Sequence, residues 1–364
     1  MKYSLQIIVI FLIIAGFFFY RSRNQFELPS GDTKPIDVET EINDTNDIIK
    51  SDNSIIEGDL LYNETKKSFS FSMPKSTRQI FETNGVKHSI PLSEILSGGP
   101  SKDGIPSIDS PKFISTKEAD KFLTAKSVGL GINLNGEARF YPYQILVWHE
   151  IVNDTVLDTP ILVTYCPLCA TGIVFERKVD NEVREFGVSG KLWQSNLLMY
   201  DRAGNEKVES LWSQVLGEAV LGPKTGVRLS IISSDTVMYE NWKKKYPNTK
   251  ILSKETGLLR NYALDPYGDY YTNESVSFGA SFSDTRLHPK TFVLGIEFDE
   301  QYKAYNKDAL PEGTTTDFFL GKAVRIIKDD IDGVRIFIDG NDTPYVGGFW
   351  FSWLAAHPDT KLYQ

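Results

Sequence analysis

The distribution of apolar and polar residues divides the chain into three parts. Residues 7–20 form an uncharged apolar run, and residues 26–67 are polar with no apolar period. From Ser68 onwards, short runs in which apolar and polar residues alternate are separated by Gly, Pro, Asn and Asp, a pattern typical of strands joined by turns. We therefore predict an α+β, mainly β, single large domain at residues 68–364 with few helices.

The N-terminal apolar run predicts a membrane anchor at residues 1–25. The run is short for a hydrocarbon core of about 30 Å. No A-x-A-like cleavage site and no cysteine for lipidation follow it, so we interpret it as an uncleaved, signal-like anchor, with a cleaved signal peptide as the alternative. Lys2 together with the terminal amine nearly balances Arg21 and Arg23, so charge does not decide the orientation.

The acidic segment at residues 26–67 predicts a flexible linker, because like charges keep a chain extended. Behind the anchor, this linker predicts a domain that is attached to the membrane and lies outside the cytoplasm, in the periplasm or at the cell surface. The membrane is therefore the one partner that the sequence predicts.

Two segments of the domain resemble each other at a constant offset. The segment that starts LGINLN at Leu130 and reaches Tyr141 matches the one that starts LGIEFD at Leu294 and reaches Tyr305. Each predicts two strands joined by a polar turn and followed by the start of a helix. We interpret the pair as an internal duplication of a β-hairpin-helix unit, with chance similarity of two hairpins as the alternative.

Composition and charge exclude two classes of protein. The chain of 364 residues has a formal net charge of -9, which opposes nucleic-acid binding because phosphates require a basic face. Its two cysteines are too few for a disulfide framework or for a zinc site made only of cysteines. A small-molecule or protein partner is not indicated by composition.

The cysteine pair is the main candidate for chemistry. Cys166 and Cys169 lie in YCPLC between two apolar, β-branched runs, which predicts a tight turn between strands with both sulfurs on one side. Three interpretations stay open: a metal site, since such turns resemble zinc-ribbon knuckles; a redox C-x-x-C; and a structural disulfide. A redox pair normally begins a helix, whereas the residues after Cys169 predict a strand.

Further ligands come from a predicted helix that runs from Pro142 to Glu150. Its i, i+4 and i+7 spacing places Ile145, His149 and Val152 on one face. The predicted copper or zinc site consists of Cys166, Cys169 and His149, with Glu150 and Asp154 as general base or second-shell partner, and with His288 and His357 as alternative ligands. Soft thiolates favour copper(I) and zinc over hard cations.

A block rich in aromatic and amide residues follows the cysteines and predicts a pocket over Cys166. Its proposed lining is Tyr165, Asn153, Ser189, Trp193, Asn196, Met199, Asp201, Arg202 and Trp212. A serine hydrolase is excluded, because Gly190 follows Ser189 directly and breaks the G-x-S-x-G pattern.

Several long motifs resemble one known family. They are HEIVNDT from His149, YCPLCATG from Tyr165, FGVSGKLWQSNLLMYDR from Phe186, SLWSQVLGEAVLGPKTG from Ser210 and HPDTKLY from His357. Together they resemble a large bacterial and archaeal family that is catalogued only as a domain of unknown function and is typically exported or membrane-anchored. The resemblance covers roughly residues 92–363, departs at Trp193, where Tyr or Leu is expected, and implies no reaction, substrate or cofactor.

These observations predict a membrane-anchored extracytoplasmic protein of undetermined reaction, with a Cys/His site for copper or zinc. Two alternatives remain at this stage: a thiol-disulfide redox protein that uses Cys166 and Cys169, and a non-catalytic ligand-binding or structural module with an aromatic-lined pocket.

Overall fold

The alternating runs form strands, and the part of the chain that the structure describes is mainly β. The structure is a computed structural model that describes residues 28–36, 78–205, 207–329 and 333–363. The predicted anchor at residues 1–25 lies outside these ranges. Within them, no helix is both long and apolar enough to cross a bilayer.

The secondary structure consists of many short elements. The first strands are β1 Thr33–Ile36, β2 Ile80–Thr83, β3 Val86–His88, β4 Ile95–Ser97, β5 Phe113–Ile114, β6 Val128–Leu134, β7 Glu137–Pro142, β8 Ile151–Val156 and β9 Thr159–Cys166. The next are β10 Thr171–Glu176, β11 Lys178–Val179, β12 Glu182–Val183, β13 Phe186–Trp193, β14 Asn196–Asp201, β15 Leu211–Ser213, β16 Glu218–Leu221, β17 Ile231–Ile232 and β18 Asp235–Met238. The last are β19 Lys250–Leu252, β20 Phe292–Phe298, β21 Gln301–Asn306, β22 Gly313–Phe319, β23 Lys322–Lys328, β24 Val334–Ile338, β25 Asn341–Thr343, β26 Val346–Phe349 and β27 Lys361–Leu362. The α-helices are α1 Thr116–Ala119, α2 Tyr143–Leu146, α3 Tyr239–Lys245 and α4 Trp350–Ala356, and 3-10 turns lie at Leu92–Glu94 and Pro167–Cys169.

The strands form four main sheets. Sheet A has the order β1-β2-β3-β16-β15-β14-β13-β4, and sheet B has the order β27-β21-β20-β26-β10-β9-β8 with β17 beside β10. Sheet C has the order β18-β6-β7-β19-β5, and sheet D the order β22-β23-β24-β25. Strands β11 and β12 form a separate pair.

The strand that leads to the cysteines is buried on both faces. Leu162 and Cys166 of β9 belong to the core between sheets A and B, whereas Val163 and Tyr165 belong to the core between sheets B and C. Double-sided burial explains why this strand is a continuous apolar run without alternation. The cysteine turn therefore begins at the end of a strand that is packed between two cores.

Part of the predicted linker belongs to the fold. Residues 33–36 form β1, an edge strand that pairs with β2 in register Thr33 to Thr83 and Ile36 to Ile80. The acidic composition of residues 26–67 as a whole predicts an extended tether, but β1 itself contains no acidic residue, and its Pro35 is compatible with an edge strand. The remaining linker residues, 37–67, lie outside the described residues.

The helix predicted from Pro142 to Glu150 is shorter than expected. The α-helix spans only Tyr143–Leu146. Tighter turns follow, in which the N–H groups of Trp148 and His149 bond to carbonyls three residues back, and Glu150 then turns the chain with a left-handed φ of 60°. Val152 then lies in β8. The predicted shared helix face of Ile145, His149 and Val152 is therefore wrong.

The two segments that resemble each other both form hairpins. Leu130 of β6 pairs with Tyr141 of β7, and Leu294 of β20 pairs with Tyr305 of β21. The helix expected after the second hairpin is absent, since turn residues follow Asn306. The hairpin part of the prediction is confirmed, and the adjacent second helix is wrong.

The similarity extends to elements that are distant in sequence. We call hairpin β6-β7 with β18, α3 and β19 the first unit, and hairpin β20-β21 with β26, α4 and β27 the second unit. In each unit, a strand pairs antiparallel with one side of the hairpin, a helix follows, and a short strand pairs parallel with the other side.

A buried tryptophan occupies the same place in each unit. Trp242 of α3 donates its indole N–H to Oγ1 of Thr249 at 2.9 Å, and Trp353 of α4 donates to Thr360 at 2.9 Å. Each ring covers a glycine of the hairpin: a Cβ atom on Gly131 would lie 2.5 Å from the Trp242 ring, and one on Gly295 would lie 2.4 Å from the Trp353 ring. Only glycine permits this approach.

Candidate functional site

The YCPLC turn joins β9 to β10. Cys166 ends β9 and pairs with Thr171 at the start of β10. Between them, Pro167 begins a single 3-10 turn, and Ala170 ends it in the left-handed conformation with φ of 48°. The residues after Cys169 thus form a strand, as the sequence predicts, and the thiols do not lie at a helix N-terminus.

Both thiols point toward one backbone carbonyl. Cys166 and Cys169 are free and buried, and their Sγ atoms lie 3.8 Å and 3.2 Å from the carbonyl oxygen of Ser195. Ser195 lies at the tip of the β13-β14 hairpin in sheet A, where it adopts a φ of 62°. The hairpin of one sheet therefore reaches across the core to meet the cysteine turn of the other.

The two thiols differ in acidity. Burial raises the pKa of the Cys166 thiol well above its ordinary value of 9.0, and the neighbouring Cys169 raises it further. Burial also opposes ionisation of Cys169, but polar contacts with Cys166, Ser352 and Asn196 outweigh it and lower the pKa of Cys169. Cys169 is consequently the first of the pair to become a thiolate.

Polar atoms without partners surround the pair. Among the described residues, Oγ of Ser195, Oγ of Ser352 and Oη of Tyr270 are buried and form no hydrogen bond. The Ser352 hydroxyl faces Cys169 and helps to lower the pKa of its thiol, but the two groups are not aligned for a regular hydrogen bond. Buried polar groups are nearly always satisfied, so these hydroxyls are available to a water molecule or a ligand beside the thiols.

Glu150 is the carboxyl group that acts on the pair. It is 7% exposed and follows the turn after α2. Burial raises the pKa of Glu150 well above its ordinary value of 4.5, and the negative charge of Cys166 adds to the shift. Burial therefore favours the protonated carboxyl, which can donate a hydrogen bond or a proton.

The raised pKa of Glu150 predicts a pH-dependent stability. The raised pKa of Glu150 contributes to the free energy of unfolding, and this contribution is fully present below the pKa that the carboxyl has in the unfolded chain. The contribution is lost as the pH rises toward the pKa of Glu150 in the folded protein. Because an amide cannot ionise, we expect Glu150→Gln to raise Tm relative to the wild type more at about pH 8 than at about pH 4. Thermal unfolding followed by circular dichroism measures the difference. The exposed Glu255→Gln is the matched control, and equal changes in Tm at both pH values for Glu150→Gln would contradict the assignment.

A loop with three tyrosines covers the site. Burial raises the pKa of Tyr267, and the charges of Glu150 and Cys166 raise it further; burial raises the pKa of Tyr270 to about 12, and the cysteine pair adds to this shift. Lys290 holds the loop, because its Nζ donates to the carbonyl of Tyr270 and, at 2.9 Å, to that of Asn273.

A groove with a volume of about 990 Å³ opens beside the turn. Tyr165 and Ala170 contribute to its lining from the two ends of the YCPLC turn, and Tyr271 contributes from the tyrosine loop. Tyr165 stacks on Tyr143 with ring centroids 4.0 Å apart. The groove gives small molecules a path toward the cysteine turn.

Both ring nitrogens of His149 are occupied. Nδ1 lies 2.8 Å from the carbonyl of Pro106, and Nε2 lies 2.7 Å from the hydroxyl of Tyr262. Burial lowers the pKa of His149 and keeps the ring neutral at neutral pH. A metal at the cysteines would have to displace one of these two partners to bind His149.

The other predicted ligands are placed elsewhere. His288 lies at the surface and contacts Glu274 at 2.7 Å. His357 is buried and stacks on Tyr302 at 3.8 Å. Asp154 accepts hydrogen bonds from Arg139 and Tyr141 at 2.5 and 2.6 Å. Among the described residues, no group of three or more His, Cys, Asp and Glu side chains is arranged to hold a metal ion.

The predicted pocket residues divide into two groups. Tyr165 lines the groove and Asn196 contacts Cys169, so these two lie at the site. The others have structural contacts: Asn153 bonds to the backbone of Phe186, Ser189 to Leu198, Trp193 to Glu94, Asp201 to the N–H of Ser210 and Arg202 to Asp109, while Met199 and Trp212 are packed in the core.

Sequence reasoning missed several residues of the site. Ser195 and Ser352 carry no local signal, because serine is common in turns and at the surface. The tyrosine loop does carry a signal, because three tyrosines lie within residues 267–271 of an otherwise polar, glycine-containing loop. Such aromatic density in a loop indicates that the loop packs against a site.

The cysteine turn, the hairpins and the tyrosine loop all lie in the part of the chain that a family model matches. No curated protein and no solved structure matches the chain. The family model is described as "Protein of unknown function (DUF3179)" and matches residues 102–338 of the 364, which is more than half of the chain. The chain therefore belongs to the DUF3179 family of proteins of unknown function.

Proposed function

We propose that the protein binds one copper(I) ion through the thiolates of Cys166 and Cys169. The observation that carries this proposal is the convergence of two free, buried thiols on one carbonyl oxygen, with Sγ of Cys166 and Sγ of Cys169 at 3.8 Å and 3.2 Å from the oxygen of Ser195. Two thiolates held this close together form a soft ligand pair of the kind that copper(I) prefers.

Copper(I) fits this arrangement better than zinc does. Structural and catalytic zinc sites use three or four protein ligands in tetrahedral geometry, whereas the described residues supply only two thiols without the displacement of a partner from His149. Soft thiolates favour copper(I). The Ser195 carbonyl, 3.2 Å from Sγ of Cys169, can serve as a weak additional ligand, as backbone oxygen does in some copper sites.

Binding requires that both thiols lose their protons. The lowered pKa of Cys169 makes it the first ligand. The positive charge of the ion then favours ionisation of Cys166, whose thiol pKa is raised well above its ordinary value by burial in the absence of a cation. Two protons are released for each copper ion bound, so the affinity rises with pH.

A thiol-disulfide function is the second candidate. The proximity of the two sulfurs to one oxygen and the lowered pKa of Cys169 favour it. Against it, the pair is buried under the tyrosine loop, and closing a ring between residues three positions apart strains the disulfide. Copper binding uses the same two thiols without oxidising them.

A metal titration tests the proposal. The full-length chain is purified with reductant and without chelator, the reductant is removed anaerobically, and copper(I) is added against a coloured copper(I) chelator. We expect one copper ion per chain, no displacement by equimolar zinc, and two titratable thiols after denaturation. Two free thiols without copper binding would overturn the proposal, as would displacement of the copper by equimolar zinc.

We also propose that residues 1–25 anchor the domain at the outer face of a membrane. The uncharged run at residues 7–20 and the absence of a following cleavage signal in the sequence support this location. An extracytoplasmic domain would meet copper before the ion enters the cell.

We further infer that the two units arose by internal duplication. The equivalent strand pairings, the two Trp-Thr hydrogen bonds and the two Gly-Trp contacts support this origin. The first unit then accommodates β8 to β17, which include the cysteine turn, as an insertion between its hairpin and its helix. The site lies in this insertion and in the segments that cover it.

A further inference from the structure

The groove beside the cysteine turn has a flat aromatic wall. Tyr143 and Tyr165 stack with ring centroids 4.0 Å apart and an angle of 19° between the rings. The hydroxyl of Tyr143 is held by Oγ1 of Thr236 at 2.6 Å, so the wall is preorganised. The volume of about 990 Å³ lies within the range of small-molecule sites, roughly 300–1,000 Å³.

The rim of the groove is apolar and exposed. Leu258, Leu264 and Val128 are 40%, 56% and 40% exposed, and Leu259 is fully exposed. These are four of the twelve large apolar side chains that are exposed in the described part of the chain. Single exposed apolar residues need no explanation, but a cluster around a concave surface marks a site of binding.

Two cations complete the lining. Nζ of Lys254 lies 4.5 Å from the ring centroid of Phe122, and the guanidinium of Arg260 lies 5.8 Å from that of Trp148. Among the described residues, neither cation forms an ion pair or a hydrogen bond. The one carboxylate in the lining, that of Asp265, accepts the N–H of Tyr267. The groove is thus locally positive in a chain of net charge -9.

We propose that this groove binds a small amphipathic anion with a planar apolar body. The body lies against Tyr143, which covers the buried Tyr165, and a carboxylate or sulfonate faces the cations Lys254 and Arg260 of the lining, where charge complementarity selects an anion. The inference goes beyond copper binding, since it uses neither thiol. It also places such a ligand next to Ala170 and therefore beside the cysteine turn.

The experiment compares two probes that differ only in charge. Isothermal titration measures the binding of 2-naphthoate and of its neutral analogue 2-naphthamide to the purified full-length chain, with a blank titration into the same buffer. We expect 2-naphthoate to bind more tightly. Lys254→Gln/Arg260→Gln should weaken the binding of 2-naphthoate about tenfold, because two exposed charge contacts are lost, and should leave the binding of 2-naphthamide unchanged.

Controls separate this proposal from copper binding. Lys112→Gln, an exposed lysine that pairs with Glu255 outside the groove, should change neither probe. Cys166→Ser should retain 2-naphthoate binding, and Lys254→Gln/Arg260→Gln should retain copper binding. Absence of 2-naphthoate binding, or equal binding to the wild type and the double variant, would overturn the proposal, whatever the copper titration shows.

Discussion

Replacing Cys169 with serine is expected to abolish tight copper(I) binding while the domain stays folded. A serine hydroxyl is a hard, neutral ligand, so the loss should far exceed the roughly 10–100-fold cost of removing a second-shell partner. Cys166→Ser should have the same effect. Competition with a copper(I) chelator measures the affinity, and circular dichroism verifies the fold, which a single buried substitution should destabilise by about 1–3 kcal/mol.

One control variant and one variant with a smaller expected effect complete this test. Met199→Leu removes a buried sulfur that is packed in the core with no exposed surface, so it should leave copper binding unchanged. Ser352→Ala removes a hydroxyl that faces Cys169, so it should weaken copper binding by about tenfold, the effect of a second-shell partner. If both cysteine variants bind copper as tightly as the wild type, the site lies elsewhere.

Gly295→Ala is expected to destabilise the domain strongly, because its Cβ would lie 2.4 Å from the Trp353 ring. Overpacking of this kind costs about 1–3 kcal/mol or more, and Trp353→Ala costs about 3–5 kcal/mol. The double variant should lose less than the sum, since the clash disappears with the ring. Denaturant unfolding of the four proteins measures the coupling energy.

The first unit should behave in the same way. Gly131→Ala and Trp242→Ala are expected to show a coupling energy of the same sign, because a Cβ on Gly131 would lie 2.5 Å from the Trp242 ring. The crossed pairs, Gly131→Ala with Trp353→Ala and Gly295→Ala with Trp242→Ala, are the matched controls and should be additive. Coupling in only one unit would contradict the equivalence of the two units.

The mainly β fold follows from local patterns that sequence alone carries. Alternation, β-branched runs and turn residues predict strands such as those of the β6-β7 and β20-β21 hairpins. The helix after Pro142 was predicted too long, because the left-handed conformation of Glu150 has no distinct local signal in a non-glycine residue. Turn geometry imposed by packing overrode helix propensity at that position.

The sequence reveals only part of the relation between the two units. The hairpins share a short sequence match, but α3 and α4 differ in composition, YENWKKK against WFSWLAA. They share a tryptophan that fits over a glycine in the hairpin. The fit of one ring over one glycine requires only two specific residues, so it produces little similarity in sequence. Only the packed structure relates the two helices.

The position of the cysteine turn can be predicted from local sequence, since Cys166 and Cys169 are neighbours in a four-residue turn whose geometry depends on local residues. The surroundings of the turn depend on the packing of distant segments. Ser195, Tyr270 and Ser352 come from three separate segments. Ser195 reaches the thiols because sheets A and B pack face to face, whereas Tyr270 comes from the tyrosine loop and Ser352 from α4. The packing of distant segments also places the His149 ring between the carbonyl of Pro106 and the hydroxyl of Tyr262. Local spacing specifies which residues share a turn, whereas contacts between distant segments depend on how the sheets bury their apolar faces.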